Sequence, residues 1–337
     1  MKRWLITGGA GFIGANAVAR LVSDNDSVVI LDDLSRSGSA ANLDYLKARY
    51  EFTYVGLSLQ DTSALNAWAV TQEPFDIVLH LAAQVSLMQS IADPMTDFLS
   101  NALGTLNLLE VQRLAWPEAI FIFASTNKVY GDLAHVEIIE ERTRFSAPRH
   151  QNGFDESLPL DFHGGYSCSK GVADQYVLDY NRIFGLKTVV LRQSAVCGRF
   201  QNPRADQGWA SFLVRETLAG RQVQLNGVGK QVRDLLDVDD LVDLYVKVSQ
   251  ASVFGQCYNI GGGPGRDLSL LELFKELDDR GFTSDFRTGA YRPSDQRVFI
   301  ADIRKAKESF GWSPRISKSE IIDRLIREEG RSFRERS

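Results

Sequence analysis

Cysteine is scarce in this chain, and what there is does not pair. Cys168, Cys197 and Cys257 form an odd set with no paired spacing, which excludes a disulfide framework and suits the reducing conditions of a cytoplasm. His80, His135, His150 and His163 stand far apart, so no zinc-ligand spacing is present and no metal is expected. No apolar run approaches the roughly 20 residues that cross a bilayer, and Met1 leads so quickly into a strand-like stretch that no leader peptide is expected. Basic residues are not in excess. With 38 Lys and Arg against 43 Asp and Glu, the net charge is −5, which gives no nucleic-acid footprint. Internal repeats and low-complexity tracts are absent. A cytoplasmic protein with no membrane or nucleic-acid partner is expected.

What is present is an alternation. The 337 residues suffice for one large α/β unit and a smaller lobe. Trp4 to Thr7 is an apolar run that stops at a glycine turn, Gly8, Gly11 and Gly14, and helical spacing follows. Strand, glycine turn and helix are the context of a dinucleotide site, in which backbone approaches pyrophosphate at a helix N-terminus. Val28 to Leu31 reads as the next strand and ends at Asp32 and Asp33. Asp32 is placed to accept ribose hydroxyls and would repel a 2′-phosphate, favouring NAD, whereas Asp33 reads as a turn cap. Arg36 nearby is the one feature that would suit a 2′-phosphate. Further strands are expected at 52–55, 75–83, 119–123 and 187–192, with a long helix from 97 to 114 carrying Asn101 near its start. The small residues after the fourth strand, Leu81, Ala82 and Ala83, let a cofactor lie across the strand ends.

This alternation implies a doubly wound parallel sheet of Rossmann type with right-handed crossovers over 1–192. Residues 193–337 read as a smaller C-terminal α/β lobe that binds substrate, from which 238–260 is expected to rejoin the first domain. The polar segment 132–163 is too long for a plain connection, and an excursion over the active site is expected.

Tyr166 and Lys170 lie one turn apart on one helix face. A free phenol has a pKa of about 10, and an ammonium nearby favours the phenolate, which can then take a proton from a sugar hydroxyl. Thr126, at the end of the fifth strand, is placed to share that hydroxyl. Arg233, Arg292 and Arg297 are candidates for a pyrophosphate, which guanidinium binds in bidentate fashion.

Together the glycine turn, Asp32, Thr126, Tyr166 and Lys170 resemble the extended short-chain dehydrogenase/reductase family, whose members modify nucleotide sugars with tightly held NAD. Within it, the runs 125–132, 152–157, 160–163, 168–171, 206–209, 229–234 and 294–299 look like those of the CDP-hexose 2-epimerases that interconvert CDP-paratose and CDP-tyvelose. The resemblance implies NAD held by Gly8, Gly11, Phe12, Ile13, Gly14, Asp32, Asp33, Arg36, Leu81, Ala82 and Ala83 together with Tyr166 and Lys170. It further implies a CDP-sugar held by Asn127, Gln207, Arg233, Arg292 and Asp295, while a homodimer or homotetramer is expected through the long helices near 97–114 and 166–184. Tyr166 would be the base, Lys170 its activator and Thr126 the partner of the substrate hydroxyl. A 4-epimerase on a UDP- or CDP-hexose is the alternative. A 4,6-dehydratase is disfavoured, because such enzymes carry Asp-Glu after the Thr where this chain has Asn127 and Lys128. The chain also departs from the family pattern at Leu57 and Ser58, Gly165, Cys197 and 199–205.

Overall fold

The computed structural model describes residues 1–292 and 295–334, so Ser294 of the run 294–299 lies outside the described residues. Seven strands build one parallel sheet: β1 (Arg3–Thr7), β2 (Ser27–Leu31), β3 (Thr53–Val55), β4 (Ile77–His80), β5 (Ile120–Thr126), β6 (Lys187–Gln193) and β9 (Gln256–Ile260). Their order is β9-β6-β5-β4-β1-β2-β3. β1, β4 and β5 are runs of bulky apolar residues because the sheet is covered on both faces. One face packs under α1 (Phe12–Ser23) and α7 (Val238–Val248). The other packs under α3 (Thr62–Ala69), α4 (Gly104–Ala115) and α5 (Gly164–Phe184). A further helix, α2 (Ser39–Lys47), lies beside α1. β4 pairs with β1 on the side opposite β2, so the strand order reverses there and opens a crevice at the strands' C-terminal ends.

The smaller lobe centres on β8 (Val232–Asp237). It pairs in parallel with β7 (Ala195–Cys197) and β11 (Val298–Phe299), and antiparallel with β10 (Asp267–Ser269). α6 (Trp209–Leu218), α8 (Leu270–Asp278) and α9 (Lys318–Arg334) cover it with an apolar core of their own. α8 opens with a capping box between Ser269 and Glu272.

Two expectations change. The helix expected over 97–114 opens with a π-helical stretch, Phe98–Leu103. Within this wider turn Asn101 bonds both the Gln84 backbone and, at 3.0 Å, the Ser169 hydroxyl of α5. The excursion 132–163 meets the crevice at His163, but its body lies elsewhere. Its hairpin, Ile139–Glu140 with Phe145–Ser146, docks on the smaller lobe, where Arg144 pairs with Glu272 and with Asp267 at 2.7 Å. Apolar Phe145 and Phe154 are buried there with Phe299, which is why the segment lies on that lobe.

Below the crevice Arg192 of β6 grips Asp174 of α5 through two parallel bonds of 2.9 and 2.8 Å, both side chains being buried. Ser125 donates to the same carboxylate at 2.7 Å, and Arg192 also reaches the Tyr130 hydroxyl at 3.0 Å. Tyr130 donates in turn to Asn259 of β9. Removing one partner strands a buried charge, so Asp174→Ala should cost about 3–5 kcal/mol. It should appear as a lower urea midpoint with an unchanged slope; an unchanged midpoint would show the pair to be dispensable.

Candidate active site

The crevice is one cleft made of three cavities that share walls. The largest, about 410 Å³, lies beyond the ends of β1 and β2 and is lined by Asp32, Asp33, Arg36, Leu81, Ala82 and Ala83, with Leu57 and Ser58 opposite. The second, about 280 Å³, runs from Gly8, Gly11, Phe12, Ile13 and Gly14 to Thr126, Tyr166 and Lys170. The third, about 240 Å³, continues past Tyr166 into the smaller lobe, to Gln207, Arg233, Arg292 and Asp295. Its apolar wall is Phe212, Leu213, Val223 and Leu225.

The first end fits a dinucleotide. A Cβ on Gly14 would sit 2.3 Å from the Gly8 carbonyl oxygen, and one on Gly8, whose φ is +69°, would sit 2.7 Å from the Ala82 nitrogen. The turn therefore closes only with glycine. α1 begins at Gly11 with no side-chain cap, which leaves its amides to a ligand. Asp32 is nearly buried and accepts from the amides of Ala10 at 3.0 Å and Leu34 at 2.9 Å, while burial raises its pKa. Asp33 caps Ser35 at 3.0 Å. Arg36 borders both halves of the cleft, beside Arg204 and Asp206, and its charge also reaches Tyr166.

At the centre, Thr126 ends β5 and caps the 3₁₀ turn Asn127–Tyr130, accepting from the Lys128 amide at 3.2 Å. Burial pushes the Tyr166 phenol up to about 12; a hydrogen bond with Thr126 opposes this, the Asp97 carboxylate adds to it and Arg36 lowers it. Lys170 is buried, its ammonium 4.1 Å from the centre of the Phe123 ring. Burial brings it down to about 7, against the pull of Asp174. The expected effect of Lys170 on Tyr166 is thus not among the causes acting on the phenol. Both groups are pressed by burial toward their uncharged forms.

Not every expected residue reaches the cleft. Asn127 is buried beneath it, its amide donating to Gln296 at 3.1 Å, so it does not line the substrate cavity. Arg297 stacks 3.9 Å over Tyr291 and lies outside the three cavities. Arg233 binds Asp295 at 3.0 Å, and Arg292 donates to the Ala205 carbonyl at 2.8 Å. His80 is a buried core residue between Thr7 at 2.7 Å and Thr105 at 2.9 Å, with its pKa well below the usual value because of burial. Among the described residues one His and Asp group clusters, Asp132, Asp161 and His163. Nε2 of His163 faces Asp161 at 3.1 Å and Nδ1 faces Asp132 at 3.7 Å. Lys128, Asn101 and Asp174 were missed as site residues. Only Asp174 carried a signal, since an arginine inside the buried strand at 192 demands a partner.

A dinucleotide cradle joined through a Thr, Tyr and Lys cluster to a cation-rich second cavity defines a short-chain dehydrogenase/reductase that acts on nucleotide-linked substrates. The chain belongs to the GDP-mannose 4,6 dehydratase family, whose profile matches residues 5–325. It is 40% identical over 329 residues to CDP-paratose 2-epimerase of Salmonella typhi, across 95% of this chain and 97% of that one. UDP-glucose 4-epimerase of Thermotoga maritima with UDP-glucose shares the fold at a TM-score of 0.85 and 29% identity, covering 98% of this chain and 99% of that one. UDP-glucose 4-epimerase of Thermus thermophilus in complex with NAD matches at 0.80 and 27% identity, covering 97% and 99%.

A pH dependence follows from Lys170. Its pKa is about 7 in the folded chain and about 10.4 when unfolded. Below pH 7 it is charged in both states and the burial penalty is complete. Between those values the folded state has released the proton and the unfolded state has not, so stability rises with pH by up to about 1.4 kcal/mol per unit. Urea denaturation of cofactor-stripped protein across this range should show a shallower rise for Lys170→Met, and identical slopes would disprove it.

Proposed function

We propose that this protein is an NAD-dependent epimerase that inverts C-2 of a CDP-hexose such as CDP-paratose or CDP-tyvelose, by transient oxidation to a keto-sugar. The observation that carries the reading is the placement of Tyr166 and Thr126 at the junction of the dinucleotide and substrate cavities. The 40% identity to CDP-paratose 2-epimerase of Salmonella typhi supports the sugar. NAD, when bound, supplies the hydride acceptor and donor. Tyr166 takes the proton of the sugar hydroxyl on oxidation and gives it back on reduction, while Thr126 holds that hydroxyl. Lys170 and Asp32 hold cofactor ribose hydroxyls, and the amides at the start of α1 hold the pyrophosphate. Arg233 and Arg292 bind the substrate's phosphates, with Gln207 and Asp295 beside the CDP-sugar. Residues 1–192 with 238–260 form the cofactor half, and the rest of 193–337 the substrate half.

A second reading, a 4-epimerase, is favoured by the likeness to the Thermotoga maritima UDP-glucose 4-epimerase. NMR of the purified protein with CDP-paratose, CDP-glucose and UDP-glucose, without added reductant, separates the two. Inversion at C-2 of a CDP-sugar is expected, with Tyr166→Phe inactive but retaining its NAD. Inversion at C-4 would install the second reading, and full turnover by Tyr166→Phe would remove the tyrosine as base.

Exposed apolar side chains crowd the outer faces of the helices expected to pair, with Phe98 and Leu114 on one and Tyr176, Ile183 and Phe184 on the other. These faces are the contact of a homodimer or homotetramer. Light scattering at micromolar concentration should give twice or four times 37.6 kDa, and a monomer would refute it.

A further inference from the structure

The substrate cavity has an order along its length. Tyr166 stands at its reacting end, hydrogen-bonded with Thr126 of the neighbouring cavity, and Lys128 follows Thr126 by two residues on the 3₁₀ turn that Thr126 caps. The Lys128 ammonium is 3.5 Å from Asp295, whose same oxygen accepts from Arg233 at 3.0 Å. Farther out Arg292 donates to Ala205 and faces Asn226. The sequence therefore reads reacting hydroxyl, Lys128, Arg233, Arg292.

The charges do not balance. Two carboxylates line the cavity, and one of them, Asp206, accepts from the Ser86 hydroxyl and lies within the field of Arg36. Asp295 answers Lys128 and Arg233, and the buried Asp234 also acts on Arg233, so Lys128, Arg233 and Arg292 still outnumber the carboxylates facing them. A diphosphate esterified at both ends carries two negative charges. Arg233 is already anchored to the carbonyls of Val232 and Gln296 at 2.7 Å each. Among the described residues Lys128 has Asp295 as its only ion-pair partner. Among the described residues its ammonium holds no backbone carbonyl, whereas Arg233 and Arg292 both do. Burial and the neighbouring Arg233 hold its pKa down to about 8, a state that an arriving anion would relieve.

We propose that Lys128 is a third cation of the diphosphate site and holds the phosphate nearest the sugar. This rests on the nucleotide-sugar reading of the cavity. In that position it anchors the sugar's point of attachment one turn of chain from the reacting hydroxyl, so the ring can be presented to Tyr166 without the nucleotide letting go. Lys128 would then be a substrate-binding residue rather than a donor or acceptor of the reacting proton.

A nucleoside monophosphate lacks the sugar-proximal phosphate and a nucleoside diphosphate has it. Titration calorimetry of the NAD-loaded protein with CDP, CMP, UDP and UMP therefore isolates the contact. Lys128→Met should weaken both diphosphates at least about tenfold, the worth of one charge-assisted hydrogen bond. Both monophosphates should change less than about twofold, and Lys128→Arg should restore most of the diphosphate affinity. Lys128→Gln, which keeps length and loses charge, should repeat the loss, and unaltered monophosphate affinity with unaltered NAD content shows each variant to be folded. Equal losses of mono- and diphosphate, or no loss of either, would overturn the assignment while leaving the nucleotide site standing. Failure of the unmutated protein to bind any of the four nucleotides would overturn the reading of the cavity, and this assignment with it.

Discussion

The ion pair between Arg192 and Asp174 is the constraint on which the site's geometry depends. It sits under the point where β5, β6 and α5 meet, and these elements carry Thr126, Tyr166 and Lys170. Two charges taken out of water lose several kcal/mol each and recover it only with near-ideal geometry and with the remaining polar atoms satisfied. Both conditions hold: the contact is bidentate, Ser125 takes part of the Asp174 carboxylate and Tyr130 takes a free arm of Arg192. The chain then continues through Asn259 to the Phe154 carbonyl, which ties the excursion and the last strand to the same knot. Hydrophobic packing alone would tolerate sliding of α5 against the sheet. A buried network with one satisfied arrangement does not.

The same aspartate links architecture to chemistry. Lys170 is one turn before Asp174 on α5, and Asp174 is the charge that keeps its ammonium from losing more of its proton affinity to burial. Tyr166 stands one turn earlier still, so a single helix face carries phenol, ammonium and counter-ion. Without a ligand this face is held away from its working charges, the phenol at about 12 and the ammonium at about 7. Desolvation, which will strengthen every interaction in a closed cleft, is also what suppresses ionisation in an open one. A positive charge beside the phenol would favour its phenolate and would press the Lys170 ammonium further toward its neutral form.

How much of this could be read in the chain depends on the range of the signal. The parallel sheet, the glycine turn and the pairing of Tyr166 with Lys170 are local patterns, set by periods of two and of three to four residues and by the needs of a tight turn. They appear in the structure close to where they were expected. Asn127 is placed at the substrate by the resemblance, but its direction is decided by Gln296, far away in sequence. Arg297 looked like a phosphate ligand because guanidinium binds phosphate, but it is claimed by the rings of Tyr291 and Phe145. The excursion follows Phe145 and Phe154 to the smaller lobe for a similar reason. In each case a long-range partner outbid the local chemistry.

The two positions after Thr126 also bear on what the site can do beyond removing hydride. Eliminating water from a keto-sugar requires an acid or base aimed at the carbons next to the ketone, and a carboxyl group on this turn could supply it. Here the first position is an amide locked to Gln296 beneath the cleft, and the second is an ammonium facing Asp295. Neither is a carboxyl. Membership of a family described by a dehydratase therefore does not carry dehydration with it. What the turn retains is the Thr126 hydroxyl, hydrogen-bonded with the Tyr166 phenol. A ketone that meets no such base persists until hydride comes back, and a sugar held by its phosphates is free to receive it on the other face.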